Sequence, residues 1–161
     1  MYRLFIYPNF TNDMWRIFGL IFFDDPLHFV DTPHKTYRMD DIVDFLTTKG
    51  VGIYDTACAV RRLQDNASDK FLEVVTPTDI PALLAAMPHC RAIVTTGQKA
   101  TDTLCTRFGI VQPKMGTFSE FLINGTTFRL YRMPSSSRAY PLSLAKKAEA
   151  YRTMFEEVFE E

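Results

Sequence analysis

The segment 134–140 holds side chains that are well suited to bind an anion. It reads Pro-Ser-Ser-Ser-Arg-Ala-Tyr and lies between a hydrophobic strand pattern and an amphipathic helix pattern. Its consecutive hydroxyls can donate hydrogen bonds and Arg138 adds a fixed cation, so the group suits contacts to phosphate. A structural role is the alternative, because serine is also favoured in turns and at helix N-caps. The three serines are Ser135, Ser136 and Ser137.

Three other segments place polar residues where predicted strands end or predicted helices begin. They are 7–15, 53–56 and 95–100. In an open α/β sheet such ends gather at one edge, where ligands bind. Asn12 and Asp13 precede an apolar run, and either could be the helix N-cap, while Gly97 and Lys99 open another helix, whose free N–H groups can hold an anion. We therefore expect these segments and 134–140 to share one functional edge.

The elements that must position these residues alternate between helix and strand. Apolar periodicity and capping residues predict helices over 14–22, 41–50, 79–87, 98–108 and 141–158, and a loop over 24–35. In the second helix, Asp40 or Asp41 is the predicted N-cap. Strand patterns occupy 51–58 and 90–95, and Asn124-Gly125 joins 118–123 to 126–133 as a hairpin with a type I′ turn. This alternation predicts an α/β domain over 1–161, with three layers and a mainly parallel central sheet.

Composition is compatible with one domain and does not by itself indicate a nucleic-acid partner. The chain has 161 residues, of which 47% are hydrophobic, enough for a sizeable core. The formal net charge is −1, but Glu156, Glu157, Glu160 and Glu161 lie at the C-terminus, so the rest of the chain sums to +3. A mildly basic body permits a polyanionic partner without requiring one.

Metal, disulfide and membrane chemistry are disfavoured by the sequence. Cys58, Cys90 and Cys105 are an odd number of cysteines without CxxC spacing, and the histidines have neither metal nor triad spacing. No G-x-S-x-G, Walker A or GxGxxG motif occurs. No signal peptide is visible, and the longest apolar stretch, 17–23, is too short to span a bilayer. We expect a soluble cytoplasmic protein that needs no cofactor.

The four segments together resemble the uracil-DNA glycosylase superfamily, and within it the hypoxanthine (deoxyinosine)-DNA glycosylase branch of bacteria and archaea. Residues 7–15 read Tyr-Pro-Asn-Phe-Thr-Asn-Asp-Met-Trp and resemble that branch's tyrosine-rich segment ending in Asn-x-Phe-Trp. Residues 50–55 resemble its Gly-[Ile/Val]-Gly-Leu-Trp-Asp strand, and 92–100 its strand ending in Gly-x-Lys-Ala. Residues 134–139 resemble its Pro-Ser-Thr-Ser-Pro-Ala loop. The similarity covers nearly the whole chain.

The resemblance implies a monomeric base-excision-repair enzyme that acts on DNA containing a deaminated base, hypoxanthine or uracil. Such an enzyme flips the nucleotide out of the stack and hydrolyses its N-glycosidic bond. The family pattern assigns the water-positioning role to Asn12, which can also cap a helix. Asp55 would read the flipped base, and Tyr54 or Phe10 would stack on it. The structural alternatives are a core position for Tyr54 and a loop-backbone contact for Asp55.

The same resemblance assigns binding of the DNA backbone to two groups of residues. One is the loop 135–138, where Arg138 would act as a clamp or wedge. The other is the helix start that contains Gly97 and Lys99. These groups offer hydroxyl, backbone N–H and cationic donors, the usual partners of phosphate oxygens.

The chain also departs from the family pattern. Relatives begin with an additional strand and a Gly-[Thr/Ser]-Phe-Pro loop that builds part of the active-site wall, and this segment is expected to be missing because Met1 lies just before Tyr7. Phe10-Thr11 replaces the branch's Pro-Arg, and Arg138 replaces the loop's second proline. The alternatives are therefore a catalytically impaired, N-terminally shortened DNA-binding relative, or a protein that binds a nucleoside or nucleotide.

Overall fold

The computed structural model divides the chain into two compact units. The first unit comprises Met1–Tyr54 and Pro134–Glu161, and the second comprises Asp55–Met133. The single domain expected over 1–161 stays a prediction. Within the chain the structure describes residues 10, 12–53, 57–62, 72–77 and 79–159.

Five helices and seven strands are found in the described ranges. In chain order they are α1 (Met14–Phe23), β1 (Val30–Asp31), β2 (Thr36–Tyr37), α2 (Met39–Lys49), β3 (Ala57–Arg62), β4 (Leu72–Pro77), α3 (Ile80–Ala85), β5 (Ala92–Thr96), α4 (Gln98–Phe108), β6 (Phe118–Ile123), β7 (Thr126–Met133) and α5 (Leu144–Phe159). The expected mixture of α and β structure is confirmed.

Helix α1 forms as predicted and is a main part of the core of the first unit. Its buried side chains include Trp15, Ile17 and Phe18, in keeping with a helix that is apolar on most faces. The ring of Phe18 meets that of Phe155 on α5 edge to face, with 5.3 Å between centroids. This aromatic contact packs the helix that follows Asn12 against the helix that follows the serine loop.

The N-cap predicted for α2 is wrong, although the helix itself and its end at Gly50 are confirmed. The helix begins at Met39 with Arg38 in the N-cap position, so Asp40 and Asp41 lie inside the first turn. Carboxylates in a first turn interact favourably with the positive end of the helix dipole. The two aspartates therefore stabilise this terminus electrostatically rather than by capping it.

The sheet of the second unit has three strands in the order β5-β7-β6. Strand β5 pairs with β7 in parallel, and β6 pairs with β7 antiparallel. Asn124 and Gly125 both have positive φ, 49° and 80°, which confirms the type I′ hairpin. The described part of the chain thus holds a mixed sheet, and a mainly parallel sheet within three layers stays a prediction.

The strand predicted over 51–58 is placed differently. Residues 51–53 are not in a strand, and β3 begins only at Ala57. It continues to Arg62 because its backbone pairs antiparallel with β4. Local sequence does not reveal that partner, so the predicted strand ended at residue 58.

Helix α5 starts three residues later than predicted and otherwise has the expected apolar face. The Ser143 hydroxyl accepts a hydrogen bond from the Lys146 N–H at 3.2 Å, which is the geometry of an N-cap. Ala148, Tyr151 and Phe155 are buried along one stripe. None of the helices in the described residues is long and apolar enough to cross a membrane.

Replacing Gly19 with alanine should destabilise the first unit. A Cβ at Gly19 would lie 2.5 Å from the Asp25 carbonyl oxygen and 3.4 Å from the His28 Cβ, so the backbone after α1 would have to move. Alanine is favoured over glycine in helices by about 1 kcal/mol, but overpacking costs about 1–3 kcal/mol. We expect Gly19→Ala to lower the free energy of unfolding, measured by urea denaturation.

The control for this measurement is Thr153→Ala on the exposed face of α5. This change should leave stability within about 0.5 kcal/mol of the wild type. Wild-type or higher stability of Gly19→Ala would contradict the close approach described for Gly19.

Candidate functional site

The start of α1 lies directly beside the serine-rich loop within the first unit. Asn12 and Ser137 form an isolated antiparallel bridge. The Asp13 N–H donates to the Ser136 carbonyl at 2.7 Å. The fold therefore brings the predicted catalytic residue, Asn12, next to the predicted DNA-binding loop, although the two are far apart in the sequence.

A buried carboxylate, Asp13, is surrounded by three cations. Its Oδ1 accepts hydrogen bonds from Arg16 at 3.1 Å and from the Arg138 Nε at 3.3 Å. The Lys147 Nζ lies 3.9 Å from its Oδ2. We call these four residues the Asp13 cluster. Because three positive groups face one negative group, the cluster has an excess of positive charge.

Lys147 links α5 to the loop from a fully buried position. Only 1% of its side chain is exposed, and its Nζ donates to the Ser137 carbonyl at 2.8 Å. Burial lowers the pKa of the Lys147 ammonium, Asp13 acts in the opposite direction, and Arg138 lowers the pKa further. The ammonium is thus held inside the unit by a carbonyl and a carboxylate.

The two arginines of the cluster differ in exposure and both contact Phe10. The Arg16 side chain is 11% exposed, donates to the Phe10 carbonyl at 3.0 Å and has its guanidinium carbon 4.4 Å from the ring centroid. The Arg138 side chain is 49% exposed and lies 5.9 Å from the same centroid. Stacking of a base on Phe10 stays a prediction, and such a base would have to share the ring with these cations.

Tyr37 fixes the main chain at Asn12. Its hydroxyl donates to the Asn12 carbonyl and accepts from Arg16. Burial raises the pKa of the Tyr37 hydroxyl, Arg16 opposes that shift, and Asp13 adds to it. The hydroxyl therefore stays protonated near neutral pH and remains available as a donor to Asn12.

The Asn12 side chain has one observed role and retains the capacity for a second. Its Oδ1 accepts from the Met14 N–H at 2.9 Å, so the amide satisfies the first N–H of α1 from the position before the N-cap residue, Asp13. A carbonyl oxygen has two lone pairs and an amide nitrogen carries two donors. This contact therefore leaves hydrogen-bonding capacity for a water molecule, and the catalytic role of Asn12 stays a prediction.

The loop serines shape the loop itself. The Ser135 hydroxyl accepts from the Ser137 N–H at 3.2 Å, and the Ser137 hydroxyl accepts from the Ala139 N–H at 3.3 Å. These are the turn contacts that the sequence left as an alternative. Because each hydroxyl acts as an acceptor in them, its O–H is still a possible donor to a ligand. Ser136 is 3% exposed, so its side chain is poorly placed to reach DNA.

The other sequence-predicted site residues lie elsewhere in the chain. Tyr54 and Asp55 fall outside the described residues. Gly97 and Lys99 belong to the second unit, where Gly97 is the N-cap of α4 with a φ of 92°. Glycine suits this backbone conformation because side chains rarely adopt it. Anion binding at this helix start stays a prediction.

Four members of the site were not predicted from the sequence, namely Asp13 as the centre of an ion network, Arg16, Tyr37 and Lys147. Asp13 was considered only as a helix-cap residue. Tyr37 gave no local signal, because its contact with Asn12 depends on the fold. Lys147 did give one: it lies four residues before Tyr151 and seven before Met154, on the buried face of α5. A cation at that spacing indicates a buried partner.

A second concave surface of the first unit is separate from the Asp13 cluster. It is a groove of about 550 Å³ lined by Phe22, Phe23, His28, Phe29, Asp41, Asp44, Phe45, Thr48 and Lys49. None of the predicted site residues contributes to this lining. Within the described residues, no group of histidines, cysteines and carboxylates could hold a metal ion.

No family model matches this chain, and no match was found among curated proteins or solved structures. The resemblance to the glycosylase superfamily therefore rests on the motifs given above.

The Tyr151 hydroxyl holds the beginning of the loop, and its removal should destabilise the protein at neutral pH. This buried hydroxyl donates to the Pro134 carbonyl at 2.6 Å. Tyr151→Phe leaves that carbonyl without this donor, so we expect the free energy of unfolding to fall by about 1–2 kcal/mol. Urea denaturation at pH 7 measures the difference.

The same pair of proteins tests the titration of Tyr151. Burial raises the pKa of Tyr151 well above its ordinary value of 10.0. Above pH 10 the unfolded tyrosine releases its proton while the folded one retains it, so this contribution to stability is lost as pH rises. The stability difference between wild type and Tyr151→Phe should therefore shrink above pH 10. A constant difference up to pH 11 would contradict the assigned burial.

Proposed function

We propose that this protein is a monofunctional DNA glycosylase that removes a deaminated base, hypoxanthine or uracil, from DNA. The observation that carries the proposal is the pairing of Asn12 with Ser137, which puts a neutral amide beside a cationic, hydroxyl-rich loop. A base-excision site needs both properties in one place. The amide orients water for attack on the sugar, and the loop holds the backbone that carries the flipped nucleotide.

The chemistry suits an asparagine. Hydrolysis of an N-glycosidic bond is expected to pass through an oxocarbenium-like transition state, as glycoside hydrolysis does. A correctly placed water then matters more than a strong base, because the sugar carbon is already electrophilic. An amide positions water without any shift of pKa. Tyr37 supports this role because its hydroxyl fixes the Asn12 main chain.

Recognition of the base is proposed for Asp55, with Tyr54 or Phe10 as the stacking partner. Flipping a nucleotide out of the stack costs about a few kcal/mol of free energy. Stacking of the base on an aromatic ring offsets about 1–3 kcal/mol of that cost. Phe10 is supported by its neighbourhood, because it contacts two arginines that also contact Asp13. For Tyr54 and Asp55 the support is the sequence motif.

Contacts with the DNA backbone are proposed for Ser135, Ser137 and Arg138. The same role is proposed for the start of α4, with Gly97 and Lys99. The half-exposed guanidinium of Arg138 and the two loop hydroxyls support the first group. The buried Ser136 contributes differently, since its carbonyl accepts from the Asp13 N–H and so aligns the loop with α1.

The fold that we propose is the three-layer arrangement of this superfamily with a mainly parallel sheet. The parallel ladder between β5 and β7 supports it. We further propose that the protein acts as a monomer in cytoplasmic base excision repair, on DNA, and without a metal or organic cofactor.

A DNA-binding relative without catalytic activity is the second candidate. The contact that favours it is the hydrogen bond from the Met14 N–H to Asn12 Oδ1, which is sufficient to explain an asparagine at this position. Both candidates bind duplex DNA with a strong salt dependence, whereas a nucleoside-binding protein would not. Excision of a base separates the first two.

Asn12→Ser tests catalysis and keeps an acceptor for the first N–H of α1. A serine hydroxyl can accept from the main-chain N–H two residues on as asparagine does, though more weakly, so stability should change little, but the hydroxyl is too short to hold water where the amide does. A misplacement of about 1 Å costs about 100-fold in rate. We expect single-turnover release of hypoxanthine or uracil from an oligonucleotide to fall about 100-fold or more, measured as abasic product after alkali cleavage.

Two outcomes would overturn the catalytic proposal. One is that folded wild-type protein yields no abasic product from deoxyinosine or deoxyuridine, in single or double strands. The other is that Asn12→Ser retains the wild-type rate. Arg152→Gln, which removes an exposed cation from α5, serves as the control variant and should excise at the wild-type rate.

A further inference from the structure

We propose that Arg138 binds a DNA phosphodiester by leaving Asp13, while Arg16 and Lys147 keep the Asp13 carboxylate neutralised. The inference rests on the DNA-binding part of the proposed function and gives Arg138 a different task from Arg16 and Lys147. Its basis is that one buried carboxylate has three cationic partners, which differ sharply in exposure.

The surplus of cations makes the exchange possible. A buried carboxylate that loses its only cation becomes an uncompensated charge, which strongly destabilises a fold. Asp13 avoids this state when Arg138 departs, because Arg16 stays at 3.1 Å from Oδ1 and Lys147 at 3.9 Å from Oδ2. The ion network therefore survives the loss of one member.

Arg138 is the member that can leave. Arg16 and Lys147 are 11% and 1% exposed and have further short contacts, to the Phe10 carbonyl at 3.0 Å and to the Ser137 carbonyl at 2.8 Å. The contacts of Arg138 with Asp13 and Phe10 are longer, 3.3–3.4 Å, and half of its side chain faces solvent.

The ligand chemistry follows from the guanidinium and its setting. Arginine forms paired, charge-assisted hydrogen bonds with phosphate oxygens. The hydroxyls of Ser135 and Ser137 belong to the same loop and act as acceptors in its turns, so they can donate to the same anion. A phosphodiester thus meets one cation and two neutral donors, and the remaining cluster compensates Asp13.

If Arg138 must leave Asp13 to bind a phosphate, then the ion pair between them lowers the affinity for DNA. Asp13→Asn keeps the shape and an acceptor oxygen but removes the charge that holds the guanidinium. We expect duplex DNA to bind about 2- to 5-fold tighter to this variant, the range given by a partly exposed ion pair. Fluorescence anisotropy with a labelled undamaged duplex at several salt concentrations measures this affinity.

The double variant Asp13→Asn/Arg138→Gln gives the decisive comparison. If Asp13 acts through Arg138, then Asp13→Asn should no longer tighten binding once Arg138 is glutamine. If Asp13→Asn tightens binding equally in both backgrounds, the effect is only the gain of one positive charge, and the inference is wrong. This comparison separates the specific exchange from general electrostatics.

Salt dependence supplies an independent measurement that does not require Asp13→Asn to fold. Arg138→Gln should make the slope of log affinity against log salt less negative by about 0.9, the value for one lost phosphate contact. Arg138→Lys should retain the wild-type slope, because it keeps the charge. An unchanged slope in Arg138→Gln would overturn the inference.

Failure of the inference can be told apart from failure of the proposed function. Absence of binding to single- and double-stranded DNA by folded wild-type protein at low salt overturns both. Binding with the predicted slopes but no excision overturns only the catalytic proposal. Excision by the wild type together with wild-type binding by Arg138→Gln overturns only the exchange at Arg138.

Discussion

The candidate site depends on the burial of one carboxylate, that of Asp13. Its main-chain N–H donates a hydrogen bond to the Ser136 carbonyl. Its side chain pairs with Arg16 on α1, Arg138 in the loop and Lys147 on α5. A buried charge is stable only with partners close to it. These elements must therefore stay together in the folded state, and Asn12, the residue before Asp13, is held in register with the loop as a consequence.

The sequence allowed the regular elements to be predicted wherever the deciding signal was local. The Asn124-Gly125 hairpin and the end of α2 at Gly50 follow from residues that accept positive φ. The start of α2 was missed because several polar residues there can cap and only the tertiary path selects one. Strand β3 was missed because its extent depends on pairing with β4, and a pairing partner is not encoded in the strand's own polarity.

The candidate site was predictable only where its residues give a local signal in the sequence. Asn12 and Arg138 stand out by residue type next to predicted element ends. The contact between α1 and the loop, and the ion network that maintains it, arise only when distant segments pack together. Tyr37 and Lys147 therefore enter the site through tertiary structure, although the spacing of Lys147 on the buried face of α5 carried a usable signal.

A structure of the Asn12→Ser variant bound to a duplex with a single deoxyinosine would show whether Asn12 and the loop 135–138 form one base-excision site. We expect a nucleotide flipped out of the DNA helix, with its sugar facing residue 12 and a flanking phosphate within hydrogen-bond distance of Arg138. A stacked deoxyinosine, or DNA bound to another surface of the protein, would contradict this expectation.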